Sequence, residues 1–411
     1  MFKRLFAATA AVLVSVSLTS RAAVAENAAM EWNRIALDRT VTAGQGPLPQ
    51  ARSMTIVQIA IHDAVNAVTL KHKTYFPYGP APAGASAEAA AIAAGHRALA
   101  TLFASQSPTL DAFRAASLVS RGLTEADPGI GVGETAAATV LAARANDGAS
   151  AAGGPYSAPG AGQPGVWVPV GAAAPVTPGW GNVTPWVLDN SEQFLPEPPP
   201  SLHSWRYVKD YYEVKSIGSL TSTTRTAEQT EIARFWLGTP SAIWNRVARQ
   251  IIEARNLDLS DTTKVLGLIY LAASDAGIVC WEAKYQYNFW RPFTAIRNGD
   301  ADGNHWTVGD PNWQPLFTTP QHPEYVSGHS SNSAAFGFAL AAIFGDNPGV
   351  PIVALSPTNP GFARTWRRFS DGVDEVVDAR IYSGFHYRTS DEAGAKLGRR
   401  VAKYVVNNAL K

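Results

Sequence analysis

The chain has one cysteine, Cys280, in 411 residues, so no disulfide can form within it. Cys280 lies in an apolar helical run, where a thiol packs as a small hydrophobe. Charge is also scarce, at 16% of residues, and neither sign is clustered. Without a basic run or patch, nucleic acid is excluded as a partner. Neither HExxH nor the Cys/His spacing of a zinc site occurs. No internal repeat and no convincing sheet pattern is visible, though "GVWVPV" could form one short strand. Beyond the N-terminus no segment reads as long and apolar enough to cross a membrane, so no membrane partner is expected.

What is there begins with a targeting pattern. Lys3 and Arg4 precede the apolar stretch "LFAATAAVLVSVSL", and "AVA" (Ala23 to Ala25) has the small-x-small form of a cleavage site. Residues 1–25 therefore read as a secretory signal peptide, with the mature chain starting at Glu26 and exported to the periplasm or the medium. Loss of Lys3, Arg4 and Arg21 leaves 31 basic against 33 acidic residues, a formal charge of −2. The full sequence is 46% hydrophobic, and the mature chain, 26–411, is long enough for a large core.

Helical periodicity dominates, and the expected class is all-α with about ten helices. "ARSMTIVQIAIHDAVNAV" repeats apolar residues at three and four, and three alanine-rich helices follow between Pro and Gly breakers. Helices resume at "SWRYVKDYYEVKSIG". Thr226 with Gln229, and Thr389 with Glu392, have the spacing of capping boxes. A long helix runs from about Ser260 to Trp290, stopped by Pro292. Two more are expected near Pro360 to Tyr382 and Thr389 to Ala409. Between these regions, 150–203 is rich in Pro and Gly yet carries Trp167, Trp180 and Trp186. This reads as an ordered wrap laid over the helices, since an inter-domain linker has little use for three tryptophans. The organisation expected is one helical domain, 26–411, with the chemistry in 260–411.

Three stretches carry that chemistry. In "WEAKYQYNFWRP", Lys284 and Arg291 are seven residues apart, which on one helix places both on one face, roughly 10 Å apart along the axis. Arg offers a planar fork for oxyanions and Lys a point charge. In "HPEYVSGHSS", Ser327 and Gly328 precede an apolar helix whose N-terminus presents free N–H groups to an anion, with His329 beside it for acid–base work. In "DARIYSGFHYRTSDEAG", Arg380 ends one helix, Gly384 can form its left-handed cap, and His386 lies in the following turn. Together they offer several positive donors for a multiply charged oxyanion, one acid–base histidine and one histidine to bond its central atom. His62, His72, His96 and Asp275 read as packing or helix contacts.

The pattern K-x6-R-P, S-G-H, R-x5-H resembles the vanadium-dependent haloperoxidases and the phosphatidic acid phosphatase type 2 superfamily that contains them. The flanks "NFWRPFTAIRNGD", "DPNWQPLFTTPQHPEY" and "IAIHDAVNAV" are similar to the bacterial haloperoxidase branch. The resemblance implies a helical-bundle fold with vanadate as cofactor, its oxygens held by Lys284, Arg291 and Arg380 and hydrogen-bonded by Ser327 and Gly328. It implies His329 as acid–base group and His386 as the ligand of vanadium, or as nucleophile in a phosphatase. Trp281 matches a halide-site tryptophan. His322 falls where bromoperoxidases tend to carry His and chloroperoxidases Phe, which favours bromide. The chain departs from the family at Val326 and Ala379, usually Pro and Ser, and at Ser390, often Asp. Asp391, one residue on, suits the first turn of the last helix, and whether it orients His386 is open at this stage.

The first reading is thus a vanadate-dependent haloperoxidase using hydrogen peroxide, a halide and a small organic acceptor. The second is a phosphoester hydrolase with a phospho-histidine intermediate. The third is a non-catalytic oxyanion-binding helical protein. A homo-oligomer is compatible with all three.

Overall fold

The computed structural model describes residues 26–411, and the expected signal peptide lies outside the described residues. Thirteen α-helices and one short hairpin form this region. The helices are α1 (Ala28–Thr42), α2 (Pro47–Thr69), α3 (Ala87–Leu102), α4 (Ser107–Ser120), α5 (Pro128–Ala143), α6 (Trp205–Ile217), α7 (Ala227–Phe235), α8 (Pro240–Ala254), α9 (Leu259–Tyr287), α10 (Pro292–Arg297), α11 (Gly328–Phe344), α12 (Phe369–Tyr382) and α13 (Arg388–Asn408). The mainly helical class is as expected. The sequence reading overlooked α1 and α10, and it overlooked β1 (Ile352–Ala354) and β2 (Arg364–Trp366), which pair antiparallel. Strand β2 occupies chain expected to be helical, so α12 starts at Phe369 instead of near Pro360. "GVWVPV" contributes a single bridge, Val166 to Phe289.

Helix α9 is the axis of the fold. It packs on α2 and α1 on one side and on α11 and α13 on the other. Its residues are apolar almost all round, which suits a helix enclosed by others. It has 29 residues and contains an 18-residue window of mean hydropathy 1.4, which reaches what a membrane span requires and corrects the expectation that no such segment follows the N-terminus. That window is 94% buried inside the protein, which marks α9 as a core helix.

Helix α9 ends three residues earlier than Trp290. Asn288 takes the left-handed conformation (φ 48°), its N–H bonds Lys284 O, and its side chain caps Tyr285 O at 2.6 Å. Asn tolerates this conformation better than other non-glycine residues. The chain then turns extended, and Trp167 N–H donates to Asn288 O at 2.7 Å. Lys284 and Arg291 are therefore not on one helix face. Lys284 is in the last turn of α9, and Arg291 is the extended residue before α10.

The capping box at Thr226 and Gln229 forms. The one expected at Thr389 and Glu392 does not, because α13 already begins at Arg388 and Arg206 of α6 takes both side chains. Gly384 does adopt positive φ (78°) after α12. Helices α11 and α13 meet at backbone distance. A Cβ on Gly398 would lie 2.1 Å from Ser331 O, and one on Gly394 2.7 Å from Ser327 O. Only glycine permits this approach.

The irregular segment 150–202 lies over this core with Trp167, Trp180 and Trp186 buried. Its anchor is Asp275 on α9, whose buried carboxylate accepts from the N–H groups of Trp186 (2.7 Å), Val187 (2.8 Å) and Leu188 (3.1 Å). Burial pushes that carboxyl up to about 6, while the three bonds pull it back. Arg144 stacks over Trp186 at 4.2 Å. Replacement Asp275→Ala leaves three buried donors unpaired, at about 1–3 kcal/mol each. Urea unfolding should show a loss of at least about 3 kcal/mol, and limited proteolysis should cut first within 150–202.

Candidate functional site

The three sequence stretches converge. Lys284, Arg291 and Arg380 have relative exposures of 0%, 0% and 2%. Lys284 Nζ donates to Pro323 O and Glu324 O, both at 2.9 Å. Arg291 donates to His322 O and Phe385 O, both at 2.9 Å, and to His322 Nδ1 at 2.9 Å and His386 Nε2 at 3.1 Å. Arg380 donates to Trp236 O at 2.9 Å, lies over the Phe385 ring at 4.6 Å, and leaves its Nε without a partner. None of the three is ion-paired to a carboxylate among the described residues. Burial accordingly lowers Lys284 to about 7, Arg380 to about 9 and Arg291 to about 10. A buried cation without a counter-charge is costly, so a site of this kind is built to be completed by an anion.

The start of α11 closes the same space. Ser327 is its N-cap and Gly328 its first residue. A Cβ on Gly328 would meet Trp281 Cζ3 at 3.1 Å, so the glycine lets the helix end approach the tryptophan and the Lys284 stem. Ser327 N–H is anchored on Ser390 O at 3.2 Å. His329 lies beside them. Its Nε2 faces the Gly238 carbonyl at 3.3 Å. A carbonyl only accepts, which places the proton on Nε2 and leaves Nδ1 free. Burial and the nearby Arg380 hold this ring well below the usual imidazole range.

His386 is set by Glu324. Its Nδ1 is 2.8 Å from Glu324 Oε1, and the same oxygen accepts from Tyr387 N–H at 3.0 Å. Arg291 can only donate, so Nε2 accepts and its lone pair points at the guanidinium. Burial first, then Arg291, Lys284 and Arg380, hold His386 well below 6.5. Burial pushes Glu324 up to about 7. The structure thus gives His386 a carboxylate partner that the sequence reading missed. Glu324 stands in the quoted "HPEY", but no spacing rule selects it, and its only signal is an acid among prolines and aromatics. Asp391 does not orient His386. It accepts from Ser330 Oγ at 2.8 Å and braces the first turn of α11.

Trp281 and His322 form one wall, with ring centroids 4.9 Å apart. Trp281 Nε1 and Tyr285 OH both donate to Val176 O of the wrap, at 3.3 and 2.8 Å. The site opens into a cavity of about 420 Å³ whose outer walls are Pro47, Leu48, Val176, Pro240 and Pro320. Three of the other histidines are structural: His62 bonds Thr263 and Lys73 O, His72 bonds Asp261, and His96 bonds Asp111, while His203 and His305 are exposed. Cys280 is buried and contacts Val326 O.

These donors suit a tetrahedral oxyanion. Three cations surround the position, α11 offers its N-terminus, Arg380 Nε is an unused donor, and the lone pair of His386 Nε2, which accepts here from Arg291, could pass to a central atom once an anion takes over the guanidinium. A bare cation would be repelled, and among the described residues no three His, Cys, Asp or Glu side chains cluster to hold one.

Comparison with known proteins agrees with this geometry. The model of the VCPO second helical-bundle domain matches residues 264–411. A vanadium chloroperoxidase of Curvularia inaequalis is 28% identical over 196 residues, covering 40% of this chain and 31% of that relative's length. The crystal structure of a bacterial vanadium-dependent iodoperoxidase superposes with a TM-score of 0.79 at 26% identity, over 92% of this chain and 96% of that one. The apo form of a bacterial vanadium-dependent chloroperoxidase superposes at 0.70 with 18% identity, over 88% and 94%, a likeness of fold.

The lowered Lys284 sets a pH dependence. Only the charged ammonium attracts an anion, so affinity is full below pH 7 and falls above it. With sulfate, whose charge is fixed over this range, calorimetry should show about a tenfold loss per pH unit between 7 and 9. Lys284→Gln should bind more weakly and lose most of that slope.

Proposed function

We propose that this chain is a member of the vanadium-dependent haloperoxidase family and uses hydrogen peroxide to oxidise halide at a vanadate held by His386, a reading supported by its similarity to such proteins. The observation that carries the reading is the convergence of three buried, carboxylate-free cations on the α11 N-terminus and the lone pair of His386 Nε2. Vanadate, when bound there, supplies a Lewis acid that activates peroxide without a change of oxidation state.

The rest is the work of the chain's own residues. Lys284, Arg291 and Arg380 hold the oxygens and compensate their charge. Ser327 Oγ and the Gly328 N–H add neutral hydrogen bonds. Glu324 fixes the His386 tautomer so that Nε2 faces the site. His329 takes a proton from incoming peroxide on Nδ1, because its Nε2–H is committed to Gly238. Trp281 and His322 wall the halide side. The polar His322 ring, resting on Trp281 and held by Arg291, supports bromide in preference to chloride. Export follows from the basic start and apolar stretch of residues 1–25.

The direct test uses protein prepared without phosphate, with and without orthovanadate, assayed for bromination of a phenol-red-type dye. Vanadate-dependent bromination that phosphate suppresses is expected, and His386→Ala should abolish it. Hydrolysis of p-nitrophenyl phosphate that vanadate inhibits, without bromination, would instead make His386 a nucleophile and the chain a hydrolase.

Glu324→Ala should weaken vanadate binding about 10–100-fold, as loss of a partner behind a metal-binding histidine commonly does. Glu324→Gln, which still accepts from Nδ1–H, should lose less. Equal vanadate affinity in Glu324→Ala and the parent would remove Glu324 from this role.

A further inference from the structure

Hydrogen peroxide and a halide do not account for the space above the oxyanion position. Even with a tetrahedral oxyanion, whose own residues line part of the cavity, they need about eight heavy-atom volumes, each taken as one water of roughly 30 Å³. The cavity is about 420 Å³, within the range of roughly 300–1,000 Å³ typical of small-molecule sites. Its outer walls are largely proline and aliphatic side chains, which offer no side-chain donors or acceptors. Three polar residues interrupt them: Gln321, whose side chain is committed to Val170, Thr177, whose hydroxyl is buried without a partner, and Asn332, the one that stands on α11 beside the reaction centre. Asn332 lines the cavity at 5% exposure, its Oδ1 is buried without a partner, and its Nδ2 makes no hydrogen bond within the chain. A buried amide in that state costs about 1–3 kcal/mol, so it calls for a ligand.

Its position says which kind. Asn332 lies one turn after Gly328 and His329 on α11, about 6 Å further along the axis. Across from it is Gly277, where a Cβ would crowd Leu48 Cδ2 at 2.9 Å and would touch Asn332 Oδ1 at an ordinary contact distance of 3.6 Å. Trp281 follows one turn after Gly277 on α9. The cleft thus has a flat aromatic floor, aliphatic sides, a hydrogen-bonding amide at one end and the reaction centre at the other. The spacing is the width of one substituted aromatic ring.

We infer that this cavity binds an electron-rich aromatic acceptor, such as a phenol or naphthol, with its hydroxyl on Asn332 and the carbon opposite facing the site. This rests on the proposed peroxidase reading, which supplies the hypohalous acid. The ring carbon's electron pair forms the C–X bond, the O–X bond breaks with its pair going to oxygen, and the displaced ring proton joins that hydroxide as water. Halogenation then occurs on a bound acceptor with defined orientation instead of on whatever meets the oxidant in solution.

The test uses 1-naphthol. Binding is measured by calorimetry on protein without vanadate, and products are analysed after turnover with vanadate, bromide and peroxide. Saturable binding is expected, together with a 4-bromo to 2-bromo ratio clearly above that given by reagent hypobromous acid. Asn332→Leu should weaken binding at least tenfold and return the ratio to the reagent value. Val176→Trp, at the 42% exposed mouth of the cavity, is the second variant should Asn332→Leu not fold, and should likewise lower naphthol affinity. Triiodide formation from iodide, which needs no organic acceptor, reports on the peroxidase reading separately. Triiodide formation without naphthol binding, or with reagent-like products, overturns the inference alone. Equal naphthol affinity in the parent and Asn332→Leu, with water alone satisfying the amide, also overturns it. Naphthol binding without triiodide formation overturns the peroxidase reading and the halogenation step, leaving a site for aromatic alcohols.

Discussion

Three cations withheld from both water and carboxylates are the constraint from which the rest of this structure follows. An ammonium and two guanidinium groups in a space poor in water repel one another and lose much of their hydration. Proteins commonly relieve this by placing an Asp or Glu in contact. Here the two nearby acids, Glu324 and Asp391, are turned to other partners, a histidine and a serine. The cations are steadied by carbonyl oxygens, which hold direction without cancelling charge. The result is a rigid field of positive charge whose missing component is an anion.

Rigidity of that kind depends on the helices around it. Gly394 and Gly398 let α13 press on the backbone of α11, which fixes the turn that carries Ser327, Gly328 and His329. The carbonyls that hold Lys284 and Arg291 come from Pro323, Glu324, His322 and Phe385, in the connections entering α11 and α13. Packing of two helices and orientation of the charged groups are therefore one arrangement. A disturbance between α11 and α13 would reach the site without touching any residue that faces it.

Much of this was legible in the sequence because the functional groups sit in short local patterns. Ser-Gly-His before an apolar run announces a helix N-terminus, and Arg380 and His386 bracket a glycine turn that the fold retains. What escaped was set by contacts between distant segments. Asn288 ends α9 in a left-handed cap because its carbonyl and side chain meet the wrap, so Lys284 and Arg291 come together from a helix and an extended strand of chain and not from one face. The capping box at Thr389 and Glu392 was pre-empted by Arg206, 183 residues away from Thr389. Glu324 and not Asp391 reaches His386, since which carboxylate does so depends on how two loops cross. The length and hydropathy of α9 were under-read because they signal a membrane span and a core helix equally.

The manner in which the wrap meets the site has a consequence for how this molecule can change. Its segment near Val176 is held through main-chain groups: Trp281 and Tyr285 both donate to Val176 O, and Gln321 O accepts from Val176 N–H. The backbone path is thus specified by residues outside the wrap, while the side chains it presents at the cavity mouth are not. Substitutions there can reshape the entrance without moving a charged group at the centre. Selection on what enters and selection on what reacts can proceed separately, with the rim open to variation while the charged interior stays fixed.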